Sequence, residues 1–304
     1  MGKFKLGCGT WPYMFPPYDA RPYTLEECLQ MISRLKFDGV ELSGFKPHAH
    51  PDLYRKKSDR EDLRSKIAGY GLEIVGIAAD LSGNPIASPY SDVREAHEKS
   101  FDTFLQFCRD LDIKSMRVDT VSGPEGVLGV AYETAWNRVE TAFKKYSRKA
   151  EDAGVILVWE FEPGFMLNKP SEVVKLLKAV NHPNFKAMVD TCHAHCCGIG
   201  LNQSPPLDII DLPLSKIAAE LITRLKGMIG HVHLIDSNNT LNPHRTSTHA
   251  PFGKGVIDFD EVMKALNGVG YSGWLALDLC FWPDAWEQTA PCKQFMDRLV
   301  AKYR

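Results

Sequence analysis

Short apolar runs alternate with longer amphipathic stretches along the whole chain. Residues 5–11 (KLGCGTW) read as a buried strand, and residues 24–36 (TLEECLQMISRLK) as a helix whose apolar positions recur every three to four residues. Thr24 and Glu27 are spaced as a capping box at its start. The same alternation predicts further strands at 38–45, 72–80, 113–121, 155–163, 185–193, 230–237 and 273–281. Helices are predicted between and after them at 58–71, 92–112, 131–154, 169–181, 213–228, 258–270 and within 285–304. The strands are apolar on both faces, as when helices cover a parallel sheet on each side. Eight strand–helix units in 304 residues predict an α/β fold, a (β/α)8 TIM barrel forming one domain over residues 1–304. A doubly wound open sheet is the alternative, but GCGTWP lacks the GxGxxG spacing and no P-loop sequence occurs. The segments after the strands are long at 12–23, 46–57, 81–91, 194–212 and 237–256, and those after the helices are short. In such barrels the loops after strands build the active site.

Composition narrows the function classes. With 44% hydrophobic and 24% charged residues the chain can bury a large core. A net charge of −2 gives no general attraction to nucleic acid or to an anionic membrane. No apolar run reaches the roughly 18 residues of a membrane span. The start, MGKFKLGCGTW, has no h-region. Eight scattered cysteines fit reduced thiols, so a cytoplasmic protein is expected. Cys192, Cys196 and Cys197 beside His193 and His195 resemble a soft-metal site, but there is no matching second half. Small buried residues are the preferred reading.

The chemistry concentrates at the ends of four strands in the second half: Glu160, Asp190, His233 and Asp278, at spacings of 30, 43 and 45 residues. Three carboxylates and an imidazole are a good donor set for Mn²⁺, with Mg²⁺, Co²⁺ or Zn²⁺ as alternatives. Each residue has an ordinary reading as well. Glu160 suits a buried salt bridge, Asp190 a helix cap, and His233 a satisfied core position. Their recurrence at equivalent places on strands five to eight favours convergence at one point. Glu162 shares the face of Glu160, and Asp236 is placed to orient a ring or bind substrate.

The segments WEFEPG, VDTCHAH, HVHLID, FGKGVIDF and ALDL resemble the sugar isomerase/epimerase-like barrels related to xylose isomerase. That family includes ketose 3-epimerases, hydroxypyruvate isomerase, inosose isomerases and dehydratases, and the metal subunits of C-glycoside deglycosidases. The resemblance covers essentially the whole chain. It implies a divalent metal on Glu160, Asp190, His233 and Asp278, with Glu160 also the base, Asp278 the partner acid, and His193 beside metal and substrate. It further implies substrate contacts from His193 and from Arg245 or His249, and a supporting role for Glu41; Trp11 as a loop aromatic and Glu162, by its strand face a supporting group or proton carrier, are expected to meet substrate too. Loop aromatics Trp11, Tyr13, Phe165 and Trp282 are expected to stack on a sugar. The implied activity is a metal-dependent sugar or keto-sugar isomerase/epimerase working by proton transfer through an enediolate. Asp278 stands where many members carry glutamate, and its carboxylate reaches about 1.5 Å less far. That departure raises the alternative of a lyase or dehydratase, including 3-keto-glycoside or C-glycoside cleavage. A non-catalytic metal- or sugar-binding subunit ranks below both, and a DNA-repair endonuclease would need more ligands and a basic face. The expected partner is an unphosphorylated sugar or cyclitol, since no Lys/Arg cluster marks a phosphate site; nucleic acid and membrane are not expected. A homo-oligomer is compatible with this picture.

Overall fold

The structure, a computed structural model, describes residues 4–127 and 129–303. Its strands in chain order are β1 (Lys5–Gly9), β2 (Gly39–Ser43), β3 (Glu73–Ala78), β4 (Ser115–Val118), β5 (Ile156–Glu160), β6 (Phe185–Asp190), β7 (Ile229–Leu234), β8 (Asp236–Leu241), β9 (Ser247–Ala250) and β10 (Trp274–Leu277). The first seven and β10 are parallel neighbours in a closed barrel, with β10 pairing back onto β1. The helices are α1 (Leu25–Arg34), α2 (Lys57–Gly69), α3 (Ser91–Leu111), α4 (Tyr132–Ala153), α5 (Pro170–Val180), α6 (Thr191–Gly198), α7 (Ile217–Arg224), α8 (Phe259–Gly268) and α9 (Ala285–Lys302). The expected capping box closes α1, with Glu27 N donating to Thr24 Oγ1 at 3.2 Å and Thr24 N to Glu27 Oε2 at 2.7 Å. Arg304, expected at the end of the last helix, lies outside the described residues. None of the described helices is long and apolar enough to cross a membrane.

Two elements differ from the sequence expectation. The sixth strand stops at Asp190 instead of running to His193, because Thr191 begins α6. All eight residues of α6 are buried, so no polar stripe marks it as a helix. The segment 237–256 is not a plain loop. Its first part folds back as the antiparallel hairpin β8–β9, with Ser237 opposite His249. The run SNNT carries no hydrophobic alternation, so the period-two signal is missing.

Period two sets which side chains enter the barrel. On β5, Trp159 turns outward and packs against Phe143 of α4 and Phe185 of β6, with ring centroids 6.4 Å away in each case. Burying that indole contributes on the order of 4–6 kcal/mol. Glu160, the next residue, therefore turns inward. Register then aligns the four candidate residues. Asp190 pairs with His233, Glu160 pairs with Met188 two residues before Asp190, and His233 pairs with Ala276 two residues before Asp278. Steps of two preserve the inward face, so the stagger of the closed sheet turns all four toward one point near its C-terminal rim.

Candidate active site

His233 is the pivot of the cluster. Its Nε2 donates to Glu41 Oε2 at 3.0 Å, and His231 Nε2 donates to the same oxygen at 2.8 Å. Burial pushes the Glu41 carboxyl up, but the two facing imidazoles outweigh it and bring it down to about 2. Glu41 on β2 thus holds the His233 ring by one nitrogen and turns the other inward, the arrangement found behind metal-binding histidines. Nδ1 lies 3.4 Å from Glu160 Oε1, 3.7 Å from Asp278 Oδ2 and 3.9 Å from Asp190 Oδ2.

Several of these atoms are buried without a hydrogen-bond partner: His233 Nδ1, Asp190 Oδ2 and both ring nitrogens of His249. Unpaired buried polar atoms are costly, and here they face each other. Two ligands about 2.1 Å from an ion, at angles of about 90–110°, lie roughly 3.0–3.4 Å apart. The separations seen are at or a few tenths of an ångström beyond that range, so the donor set fits a divalent cation. Burial would lower His233 and His249, but the facing carboxylates raise both well above the ordinary imidazole range. Burial pushes Asp190 up to about 6, with His249 opposing and Asp278 adding to the rise.

Asp190 does two jobs at once. Its Oδ1 accepts from His193 N at 2.8 Å and caps α6, while Oδ2 turns to His233. The cap reading and the ligand reading of this residue are therefore compatible. Asp278 is anchored on one oxygen, where Oδ1 accepts from Trp11 Nε1 at 3.0 Å and from Cys280 N at 2.8 Å. His249, carried in by β9, lies between the two aspartates, 3.8 Å from Asp190 Oδ1 and 3.4 Å from Asp278 Oδ1.

Arg117 was not singled out from the sequence. Its Nε donates to Glu160 Oε2 and its Nη1 to Asp119 Oδ2 at 2.6 Å. Burial would raise the Glu160 carboxyl, but the Arg117 guanidinium and then His233 hold it well below the usual carboxylate range. Glu160 therefore keeps only Oε1 for the cluster. Glu162 behaves oppositely, because burial and then the Glu160 charge push it up to about 7. Thr246 donates to it, and His193 Nε2 stands 3.6 Å from its Oε2. His193 itself is brought down to about 3, first by burial and then by His249, so its ring is neutral at pH 7. Its Nδ1 is 2.5 Å from Ser247 Oγ.

These groups open onto a cavity of about 470 Å³ whose wall includes Trp11, Phe165, Glu162, His193 and His249. Other expected contacts are not brought there. Arg245 is exposed at the hairpin turn, where Nη2 donates to Asn202 Oδ1 at 2.6 Å, and it does not line the cavity. Tyr13 is fully buried and bonded to Thr289 at 2.6 Å. Trp282 packs under Lys254 outside the cavity wall. Asp236 neither orients a ring nor faces the cavity. Its carboxylate accepts from the backbone N–H groups of Gly253, Gly255 and Ile257, each at 3.0 Å, and so ties down the return from β9 to α8. Gly255 must be glycine there, since a Cβ would sit 2.3 Å from Asp236 Oδ1. Cys192, Cys196 and Cys197 are buried free thiols on α6. Burial drives Cys192 and Cys197 well above the usual thiol range, and the close donor groups among the described residues contain no cysteine.

Comparison with known proteins agrees with this architecture. The chain is 23% identical over 262 residues to fructoselysine 3-epimerase of Escherichia coli O157:H7, covering 84% of this chain and 85% of that protein. It is 20% identical over 283 residues to inosose dehydratase of Geobacillus thermodenitrificans, covering 91% and 89%. Among solved structures, a D-tagatose 3-epimerase-like protein superposes with a TM-score of 0.75 at 20% identity, covering 99% of this chain and 98% of that one. The IOLI protein with a binding zinc atom does so with a TM-score of 0.75 at 18% identity, covering 99% of each. The family model described as xylose isomerase-like TIM barrel matches residues 29–293, from within α1 to the middle of α9. With its eight-stranded closed barrel and its named enzyme relatives, the chain belongs to the xylose isomerase-like TIM barrel family.

Proposed function

We propose that this protein is a divalent-metal-dependent sugar or keto-sugar isomerase/epimerase, with Mn²⁺ the first choice of metal. The observation that carries the reading is that carboxylate oxygens of Glu160, Asp190 and Asp278 surround His233 Nδ1 at 3.4–3.9 Å, with His233 Nδ1 and Asp190 Oδ2 both buried and unpaired. The names of the relatives, sugar epimerases and inosose dehydratases, support the substrate class. The zinc atom bound by the IOLI protein supports the metal. Bound there, the ion supplies Lewis acidity that makes a proton beside a carbonyl removable.

The chain's own residues divide the remaining work. Glu41 orients His233, and Arg117 keeps Glu160 ionised with one oxygen free. This tie makes Glu160 a ligand and a poor base, so the proton-accepting role falls to Glu162. That carboxyl lines the cavity and, among the described residues, meets Thr246 and the neutral His193 ring. With Ser247 donating to Nδ1, neutral His193 keeps its proton on Nε2, where it can be given to a substrate oxygen. Trp11 closes the floor beside His233, with ring centroids 5.4 Å apart, and excludes water from Asp278.

A second reading, elimination, is favoured by Asp278. Epimerisation needs a proton donor on each face of the sugar, and this short carboxylate is held by Trp11 and Cys280 on one oxygen. Proton–deuterium exchange into a panel of keto-sugars and inososes with Mn²⁺, followed by NMR, tests both. Deuterium entry with isomer formation supports the first reading, and loss of water or an aglycone supports the second. If Mn²⁺ leaves the melting temperature unchanged and no exchange occurs, the metal reading is wrong.

A further inference from the structure

Helix α6 is buried on every side, and one stripe of it is tied to the hairpin β8–β9. Thr191 Oγ1 donates to Ile235 O at 2.6 Å where the chain enters the hairpin, and Cys192 Sγ donates to Thr248 O at 3.3 Å. Cys196 Sγ stands 3.5 Å from Ser237 Oγ. The shortest of these contacts belongs to His195, one turn on from Thr191, whose Nε2 lies 2.5 Å from Asn239 Oδ1. His195 has no exposed surface, and burial lowers it below the ordinary imidazole range, so its ring is neutral. Facing a carbonyl oxygen, Nε2 carries the single ring proton. The proton-transfer steps leave this histidine without a role.

Asn239 has an unusual backbone. Its φ is +64°, in the left-handed region that residues with a Cβ seldom enter. It lies where the register of the hairpin breaks. Ser237 faces His249 and Leu241 faces Ser247, so four steps along β8 match two along β9. The surplus is a bulge, and Asn239 is its middle residue. The Asn239 N–H makes a longer bond, to Ser237 Oγ at 3.3 Å, which leaves the imidazole as the firm hold. Regular pairing would instead set residue 239 opposite Ser247. Losing the bulge would therefore move Ser247 two positions along β8, roughly 6–7 Å. Ser247 Oγ is 2.5 Å from His193 Nδ1, and no slip of that size leaves the bond in place. His249 is secured separately, because its partner Ser237 adjoins Asp236, whose carboxylate grips the backbone of Gly253, Gly255 and Ile257. We propose that His195 is a positioning residue: by holding Asn239 in its left-handed bulge it fixes the register that brings Ser247 to His193, and so keeps the His193 proton on Nε2. The assignment rests on the reading that His193 gives a proton to a substrate oxygen.

The test uses the full chain. Long-range proton–nitrogen spectra of ¹⁵N-histidine protein, with and without diamagnetic Mg²⁺, read the His193 tautomer, its signal being assigned by its loss in His193→Gln. The parent should show a ring fixed with its proton on Nε2. His195→Phe keeps the buried ring volume and removes the donor, and His193 should then average between its two tautomers. In the same variant kcat for deuterium exchange with Mn²⁺ should fall roughly 10²-fold, with KM within about twofold. Asn239→Val, whose β-branched side chain resists the left-handed region, should have the same two effects. Adding Asn239→Gly to His195→Phe lets the backbone hold the bulge unaided, and should restore the fixed tautomer and most of the rate. A histidine needed only for packing would not be rescued in this way. A parent without a fixed Nε2–H ring, a His195→Phe protein with the parent's spectrum, or a loss that glycine does not restore overturns the proposal. If no substrate exchanges deuterium, the activity reading fails, and the spectra still decide the role of His195.

Discussion

Replacing Glu41 with glutamine removes one charge and almost no volume. The Glu41 Oε2 atom accepts from His231 Nε2 at 2.8 Å and from His233 Nε2 at 3.0 Å. A glutamine carbonyl placed there keeps both bonds but makes them neutral. A hydrogen bond to a charged group nets about 1.5–3 kcal/mol and a neutral one about 0.5–1.5 kcal/mol, so two bonds lose roughly 2–3 kcal/mol in all. Removing such a support behind a metal ligand lowers affinity about 10–100-fold, which is about 1.4–2.7 kcal/mol. Urea unfolding without metal reads the first effect, and Mn²⁺ titration calorimetry at pH 7.5 reads the second. Acid unfolding adds a sign check. The Glu41 carboxyl lies at about 2 in the fold, below its unfolded value. Its contribution is therefore complete above pH ~4.5 and is lost as pH falls toward 2, and Glu41→Gln should lack that part of the acid transition. A variant with wild-type Mn²⁺ affinity and a wild-type acid profile would refute the idea that Glu41 orients His233 for a metal.

Substitutions at three further positions probe the remaining parts. Arg117→Met leaves Glu160 and Asp119 as uncompensated buried carboxylates and should cost about 3–5 kcal/mol in urea unfolding; a loss under 1 kcal/mol would mean that the guanidinium is not what holds Glu160 ionised. Glu162 is raised to about 7, so the fold binds its proton more tightly than the unfolded chain does. Its contribution is full below pH ~4.5 and is lost as pH rises to 7, on the order of 3 kcal/mol. The stability difference between the metal-free parent and Glu162→Gln should shift by that amount between pH 4.5 and 8, and a flat difference contradicts the assignment. Asp278→Ala should weaken Mn²⁺ binding roughly 100-fold or more, above the loss typical of an outer partner, whereas Asp278→Glu should stay within about tenfold. Equal binding by the parent and Asp278→Ala would remove Asp278 from the ligand set.

How far the site could be read in advance depended on whether its signal was local. Glu160, Asp190, His233 and Asp278 stood out because each interrupts an apolar strand, and a carboxylate or imidazole in such a run demands a reason. Arg117 interrupts β4 in the same way, in SMRV, but no ligand pattern drew attention to it. Its partner is Glu160, forty-three residues away, and only closure of the sheet brings them together. Helix α6 went unrecognised because a helix buried on every side has no amphipathic stripe. The hairpin that delivers His249 carries no strand signal because its strands are polar and short, and Asp236, whose carboxylate secures its return, reads in the sequence as a ring-orienting or substrate-binding residue.

The sequence by itself determined the eight-unit alternation, the barrel, and the strand ends that carry the candidate residues. These follow from periodicity and burial, which are properties of neighbouring residues. Only the tertiary structure decided which oxygen of each carboxylate faces the cluster, that Glu41 and Arg117 hold two of its members, and that Arg245 and Tyr13 stand away from it. It also decided that His195 of α6 meets Asn239 of β8, forty-four residues on. Those outcomes depend on register and on side chains meeting across the barrel, and no spacing along the chain encodes them.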